Sequence, residues 1–195
     1  FSGGVESTCL AYQMRPDLLV TINYGQKPAD GEISAAKHIA AELNLKHECI
    51  EAPMRELGRG EMAGVSRQEG KFFPEWWPYR NQLLVTLAAM RFERDDLKEV
   101  IIGTIKSDSV HSDGTHEFVA NLNALMMCQE PKIYLRAPAI NLTTTELVVR
   151  SEIPIDLLRW TFSCHRSSIA CGVCRGCNKT IKLFQEFPID SASGA

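Results

Sequence analysis

Phe1-Ser2-Gly3-Gly4-Val5-Glu6-Ser7-Thr8 is the stretch that decides the fold class. It reads as the end of a strand, a tight glycine turn, and a helix that runs through Met14. A strand ending at Phe1 needs residues before it, so the natural chain is expected to continue upstream. Backbone N–H groups at a helix start are unpaired and lie at the positive end of the helix dipole, which favours a phosphate there. Glycines let the backbone come close to such a group, and the Ser2 and Ser7 hydroxyls add donors. No lysine follows the glycines and no GxxxxGK[ST] is present, so this is not a Walker loop. Taken alone, Ser-Gly-Gly reads most simply as a structural turn with a capping serine. Its context changes that reading.

Outward from the turn, strand-like and helix-like stretches alternate. Leu18 to Ile22 is an apolar run of strand length, followed by the turn-rich Asn23-Tyr24-Gly25-Gln26. Ile33, Ala36, Ile39, Ala40 and Leu43 mark one face of a helix over 32–43. Residues 46–51 predict a strand, 81–95 a helix, 100–103 a buried strand, 117–128 a helix and 133–135 a short strand. Thr143 and Glu146 form a capping box that opens a helix through Arg150. Residues 53–79, rich in proline and glycine, show no period, and a loop this long inside a domain is usually functional or mobile. Strands that alternate with helices predict an α/β domain with a parallel sheet, whose ligands lie at the carboxyl ends of the strands.

Composition narrows the function classes. The chain has 195 residues, 45% hydrophobic and 23% charged, which is ordinary globular usage. A formal net charge of −3 argues against a dominant nucleic-acid contact. There is no apolar run of membrane-spanning length and no basic-then-apolar leader, so a soluble, cytoplasmic protein without a membrane partner is expected.

Of seven cysteines, Cys9, Cys49 and Cys128 are scattered and read as small hydrophobes. Cys164, Cys171, Cys174 and Cys177 crowd together in the pattern C-x6-C-x2-C-x2-C. Four thiolates so spaced can wrap a tetrahedral Zn²⁺ with no open position, which predicts a structural metal in a reducing compartment. His165 could compete as a ligand, but the cysteines already fill the shell. An iron–sulfur cluster is the lesser alternative.

The aromatic stretch 72–78 precedes Arg80 and Asn81, where the arginine suits a phosphate or carboxylate and the asparagine suits a helix cap that meets the ligand. Trp76 and Trp77 could cover a flat ring. Asp108, Asp113, His111 and His116 lie just past a predicted strand end. Carboxylates there could pair with a guanine-like base, and the histidines could suggest a second metal. Lys179 and Lys182 read as a solvated helix face.

Together these segments resemble a known family. Ser2-Gly3-Gly4-Val5-Glu6-Ser7 is similar to the SGGxDS signature of the PP-loop ATP pyrophosphatases. Tyr24-Gly25-Gln26, then Tyr79-Arg80-Asn81 with Leu84, Thr86, Leu87, Ala88 and Ala89, then Gly103, Asp108, Ser109, Asp113 and Phe118, and finally the cysteine cluster, narrow the resemblance to the 7-cyano-7-deazaguanine synthase (QueC) family. It covers residue 1 to about 185. The resemblance implies an adenine-nucleotide α-hydrolase-like (PP-loop) sandwich over 1–155, with a small four-cysteine zinc module over 156–195. It implies ATP and Mg²⁺ at Phe1, Ser2, Gly3, Gly4, Val5, Glu6, Ser7 and Thr8. It further implies a deazapurine substrate at Tyr24, Gln26, Arg80, Asn81, Asp108 and Asp113, and catalytic roles for Arg80 and Ser7.

The implied reaction adenylates 7-carboxy-7-deazaguanine and combines it with ammonia to give 7-cyano-7-deazaguanine. Three positions depart from the family pattern. Glu6 replaces its Asp, which could displace a magnesium or pyrophosphate contact. Thr144 and Thr145 stand where a lysine is usual. Residues 27–31 replace the basic residues that follow YGQ. These departures suggest a divergent paralogue, such as an anti-phage-defence enzyme that attaches a deazaguanine to a protein amine, or a non-catalytic binding module. The family also suggests a homodimer.

Overall fold

The computed structural model of the chain describes residues 1–65 and 73–187. The glycine turn leads into α1 (Val5–Met14), and β1 (Leu19–Asn23), α2 (Ala29–Glu42) and β2 (His47–Glu51) follow. A 3-10 turn (Arg55–Leu57) and the short α3 (Gly60–Ala63) interrupt the stretch that the sequence left without structure. Then come α4 (Arg80–Phe92), β3 (Glu99–Ile101), two 3-10 turns (Lys106–Val110 and Ser112–Gly114), α5 (His116–Met127) and β4 (Tyr134–Arg136). The chain ends in α6 (Thr144–Ser151), α7 (Ile155–Leu158) and α8 (Arg175–Glu186).

The strands form two parallel pairs among the described residues, β1 with β2 and β3 with β4. Parallel neighbours need a crossover, and α2 and α5 supply it, which gives two βαβ units. Their registers run Leu19 to His47 through Asn23 to Glu51, and Glu99 to Tyr134 through Ile101 to Arg136. The α/β class and the parallel pairing therefore hold. A single continuous sheet is not seen among the described residues. The glycine turn lies between the pairs: Phe1 pairs with β1 through the Val20 carbonyl, and a Cβ on Gly103 would lie 3.4 Å from Ser7 N.

Several boundaries move for local reasons. α2 begins at Ala29 rather than Glu32, because Pro28 takes the N-cap position and Ala29 N–H donates to Gln26 O. β3, expected to be buried, is only half-buried along its length. Cys9 is buried, as its reading required, but Cys49 and Cys128 are exposed, one on the solvated face of β2 and one at the C-cap of α5. The capping box is present: Glu146 N–H donates to Thr143 Oγ1 at 3.2 Å, and Thr143 N–H to Glu146 Oε2 at 2.8 Å.

The largest core cluster joins α1 to the C-terminal helices through Val5, Cys9, Leu10, Leu147, Val148, Leu158 and Leu183. A helix buried nearly all round cannot show a one-sided apolar stripe, and α1 is such a helix, with Val5, Glu6, Thr8, Cys9, Leu10 and Ala11 all buried. Because Leu183 of α8 shares this core, the cysteine-bearing segment packs as part of the body. No helix among the described residues is long and apolar enough to cross a membrane.

Candidate functional site

Gly3 makes the turn possible. Its φ is +69°, and a Cβ there would meet Ala35 Cβ and Ala36 N at 2.8 Å. Only glycine tolerates both conditions. Gly4 then takes the N-cap position, and no side chain caps the helix. The first intrahelical bond runs from Thr8 N–H to Gly4 O at 3.0 Å, so the amides of Val5, Glu6 and Ser7 have no intrahelical acceptor. Phe162 N–H donates to Gly3 O at 2.8 Å, which fastens the segment after α7 onto the turn.

The side chains of residues 1–8 divide by use. Val5 and Thr8 are buried, and Thr8 Oγ1 donates to Gly4 O at 2.8 Å. Phe1 packs beside Leu19 and Ile39. Ser2 and Ser7 stay within 3.5 Å of each other, with Ser7 Oγ donating to Gly4 O at 3.0 Å. What the turn offers a ligand is therefore backbone amides and the exposed Ser2 hydroxyl, with the Ser7 hydroxyl beside them donating to Gly4 O. Glu6 reaches the C-terminal helices: its Oε1 accepts from Thr144 Oγ1 at 2.7 Å and pairs with Lys179 Nζ at 2.9 Å. Burial pushes the Glu6 carboxyl up, but Lys179 and Thr144 outweigh it and hold it below the ordinary value. Lys179 is thus half-buried and paired, which corrects its reading as solvated; Lys182 is exposed as expected.

A second group gathers around Arg80. Tyr24 is buried and meets Trp77 edge-on, with ring centroids 4.8 Å apart. Burial pushes the Tyr24 phenol up against the opposing pull of Arg80. Burial pulls the Arg80 guanidinium down, but Tyr24, Asp113, Glu32 and Asp108 carry it above its ordinary value. Glu75, Trp76, Trp77, Arg80, His111 and Asp113 line one narrow cleft. Ser109 and Phe118 instead line a separate open recess of about 410 Å³, with Ser112 and Thr115.

Three residues expected at the substrate also bond within the protein. Gln26 is buried, with Oε1 on Tyr24 N–H at 2.9 Å and Nε2 on Ile22 O and Glu32 Oε2 at 3.2 and 2.7 Å, so it braces the turn rather than facing a ligand. Asn81 does not cap α4, because the left-handed Tyr79 is the N-cap; Asn81 Nδ2 donates to Asp113 O at 2.8 Å. Asp108 Oδ2 accepts from Ile105 N–H at 3.0 Å. Both indoles line the cleft, Trp77 as a buried core residue and Trp76 as a half-buried one. Phe72 lies outside the described residues. His111 Nε2 sits 3.4 Å from Glu75 and His116 Nε2 2.7 Å from Asn141 Oδ1, so the two histidines have separate partners.

The sulfurs of Cys164, Cys171, Cys174 and Cys177 lie within 4.8 Å of one another. Cys171 and Cys177 are 3.9 Å apart, Cys164 and Cys174 4.0 Å, and all four are free thiols. Tetrahedral Zn–S bonds of 2.3 Å would set sulfurs about 3.8 Å apart, so the quartet fits such an ion. Amides of His165, Arg166 and Cys177 point at these sulfurs, each at 3.4 Å. Burial resists ionisation of Cys164, but N–H donors from Arg166, Cys171 and Ser167 bring its thiol down to about 6. Gly176 is required here, since a Cβ would fall 1.7 Å from Ser163 O. Among the described residues this is the one group of three or more His, Cys, Asp or Glu side chains placed to hold a metal.

Sequence reasoning missed the cations that tie the cysteine segment to the rest of the site. Arg166 Nη2 reaches Glu61 Oε1 at 2.5 Å, and Arg175 Nη1 reaches Glu75 Oε1 at 2.8 Å while stacking over Phe73. These partners are 105 and 100 positions apart, and no local pattern marks them.

An α/β body of parallel strands carries a glycine turn with no side-chain cap and a group of four cysteines that could hold a metal. The family model described as queuosine biosynthesis protein QueC matches residues 1–188, and the chain belongs to that family. Among curated proteins it is similar to the 7-cyano-7-deazaguanine synthase of Aliarcobacter butzleri, 26% identical over 95% of this chain and 89% of that one. The protein of the same name from a Nitratiruptor species is 28% identical over 95% of this chain and 91% of its own. That of Methanocaldococcus jannaschii is 26% identical over 94% and 91%.

Proposed function

We propose that the chain is an ATP-dependent, AMP- and pyrophosphate-forming C–N ligase that converts 7-carboxy-7-deazaguanine and ammonia to 7-cyano-7-deazaguanine in the cytoplasm. The observation that carries this reading is the uncapped first turn of α1, whose three amides can take the phosphates of a nucleotide. Membership of the family and the name its relatives carry support a deazapurine substrate.

In the proposed reaction a carboxylate oxygen attacks the α-phosphorus of ATP and pyrophosphate leaves. Ammonia then displaces AMP from the acyl carbon to give the amide. The amide oxygen attacks a second ATP, and loss of AMP with two protons leaves the nitrile. None of these steps needs a protein nucleophile. The turn amides with Ser2 and Ser7 hold phosphates, and Arg80, in the cleft beside Asp113, steadies the charge that develops on the reacting groups. Trp76 on the cleft wall would cover the base. Mg²⁺ arriving with ATP would neutralise the phosphates, and Glu6 Oε1, already held by Thr144 and Lys179, is not free to bind it. The division into a nucleotide-binding 1–155 and a zinc-binding 156–195 belongs to this proposal.

The test is pyrophosphate release on mixing the protein with Mg-ATP, ammonium and the carboxylate substrate, with the nitrile identified by mass spectrometry. Silence in both assays would overturn the reading. Intact-mass addition of a deazaguanine to a protein, with no free nitrile, would replace ammonia by a protein amine.

A further inference from the structure

We propose that Lys179 is a polyphosphate-binding residue of the nucleotide site, delivered to the glycine turn by α8; this rests on the nucleotide reading above. Its ammonium lies 2.9 Å from Glu6 Oε1, and Glu6 contributes one of the three uncapped amides. The pair is unevenly covered. The Glu6 side chain is 11% exposed and Thr144 closes on the same oxygen, whereas Lys179 is 34% exposed and keeps an open side. An ammonium has three N–H donors. Glu6 takes one, so the others can meet an anion in front of the turn.

The helix holds this side chain in register from both ends. Cys174 Sγ caps α8 by accepting from Cys177 N–H at 3.4 Å, and Leu183 sits in the same core as Val5 and Leu10. A lysine stem usually loses too much rotamer freedom for a single contact to matter, and the Glu6 pairing removes part of that cost before any ligand arrives. Arg80 is occupied by Tyr24 and the carboxylates around it. Lys179 is the cation paired with a residue of the turn.

ATP carries two phosphoryl groups that AMP lacks, so a lysine on the polyphosphate should separate the two ligands. On metal-replete protein, Lys179→Gln should weaken ATP binding about tenfold and AMP binding less than about twofold, with Lys179→Arg recovering most of the loss. In the unmodified protein, ATP but not AMP should protect Lys179 from amine acylation, read by peptide mass spectrometry; this arm needs no variant to fold. Equal ATP affinity in Lys179→Gln, equal losses for ATP and AMP, or no protection would overturn the role. If the wild-type protein binds no ATP at all, the nucleotide reading itself fails and this inference with it. ATP binding by wild type that is indifferent to Lys179 removes this inference alone.

Discussion

Glu6 and Lys179, from opposite ends of the chain, are joined by an ion pair of 2.9 Å in which the carboxylate is the more deeply covered partner. The pair fastens the helix that follows the glycine turn to the helix that starts at the cysteines. It also explains how a residue one methylene longer than the family's usual Asp is accommodated. Its added reach is spent on Thr144 and Lys179.

The pair predicts the effect of shortening that carboxylate. Glu6→Asp draws the oxygens back by about one C–C bond from Thr144 and Lys179, which loosens the turn's helix, and a misplacement of about 1 Å passed on to the site can cost about 100-fold in rate. Pyrophosphate release should therefore fall about 10–100-fold, measured at saturating Mg-ATP and carboxylate substrate. A faster Asp variant would mean that Glu6 is a defect rather than an adaptation.

Glu6→Gln addresses stability. Removing one member of a buried pair costs about 3–5 kcal/mol, and the partial exposure of Lys179 reduces the expectation to about 1–3 kcal/mol. Urea unfolding at neutral pH reads the loss, and a change below a few tenths of a kcal/mol would show that the pair is energetically idle.

Glu75 sets an acid limb. Burial pushes its carboxyl up, but His111, its own amide and Arg175 together bring it from 4.5 down to about 2. A carboxyl depressed in the folded state contributes stability that is complete above its unfolded value and disappears as pH falls through the folded one. Its contribution should thus be full above pH 4.5 and lost as pH falls toward about 2. Thermal melts of wild type and Glu75→Gln should converge over that interval, and curves that stay parallel would refute the assignment.

The cysteine quartet should hold about one zinc per chain. Cys174→Ala removes both a ligand and the sulfur that caps α8. That variant, like chelator-treated wild type, should lose the metal and melt lower by about 10 °C or more. Elemental analysis and calorimetry check this, and metal-free protein with an unchanged Tm would contradict a structural metal.

The two glycines of the turn should fail differently. At Gly3 a methyl group would collide with α2, so Gly3→Ala should destabilise the fold itself. At Gly4 the nearest atom to an added Cβ is Ser2 Oγ at 3.2 Å, and φ is −76°. Gly4→Ala should therefore fold, while the bulkier Gly4→Val should abolish ATP binding by obstructing backbone approach. Normal ATP affinity in Gly4→Val would place the phosphates elsewhere.

What could be read from the chain alone were features whose partners are close in sequence. The glycine turn, the Thr143–Glu146 capping box, the cysteine spacing and the βαβ alternation each depend on contacts within a few residues or on a repeat period. Each is found in the structure. What the chain alone did not show were partners remote in sequence. Asn81 bonds Asp113 while Tyr79 caps its helix, Gln26 bonds Glu32, and Lys179, read as solvated, pairs with Glu6.

Sequence by itself determined the fold class, the family and the four-cysteine cluster, because backbone propensity, hydrophobic period and cysteine spacing are local properties. Only the tertiary structure decided that the cysteine segment is tied into the rest of the site through Arg166 to Glu61, Arg175 to Glu75 and Lys179 to Glu6. Those pairings exist because packing α8 against α1 brings charges from separate segments together at distances where, partly shielded from water, they attract strongly. No spacing along the chain encodes that proximity.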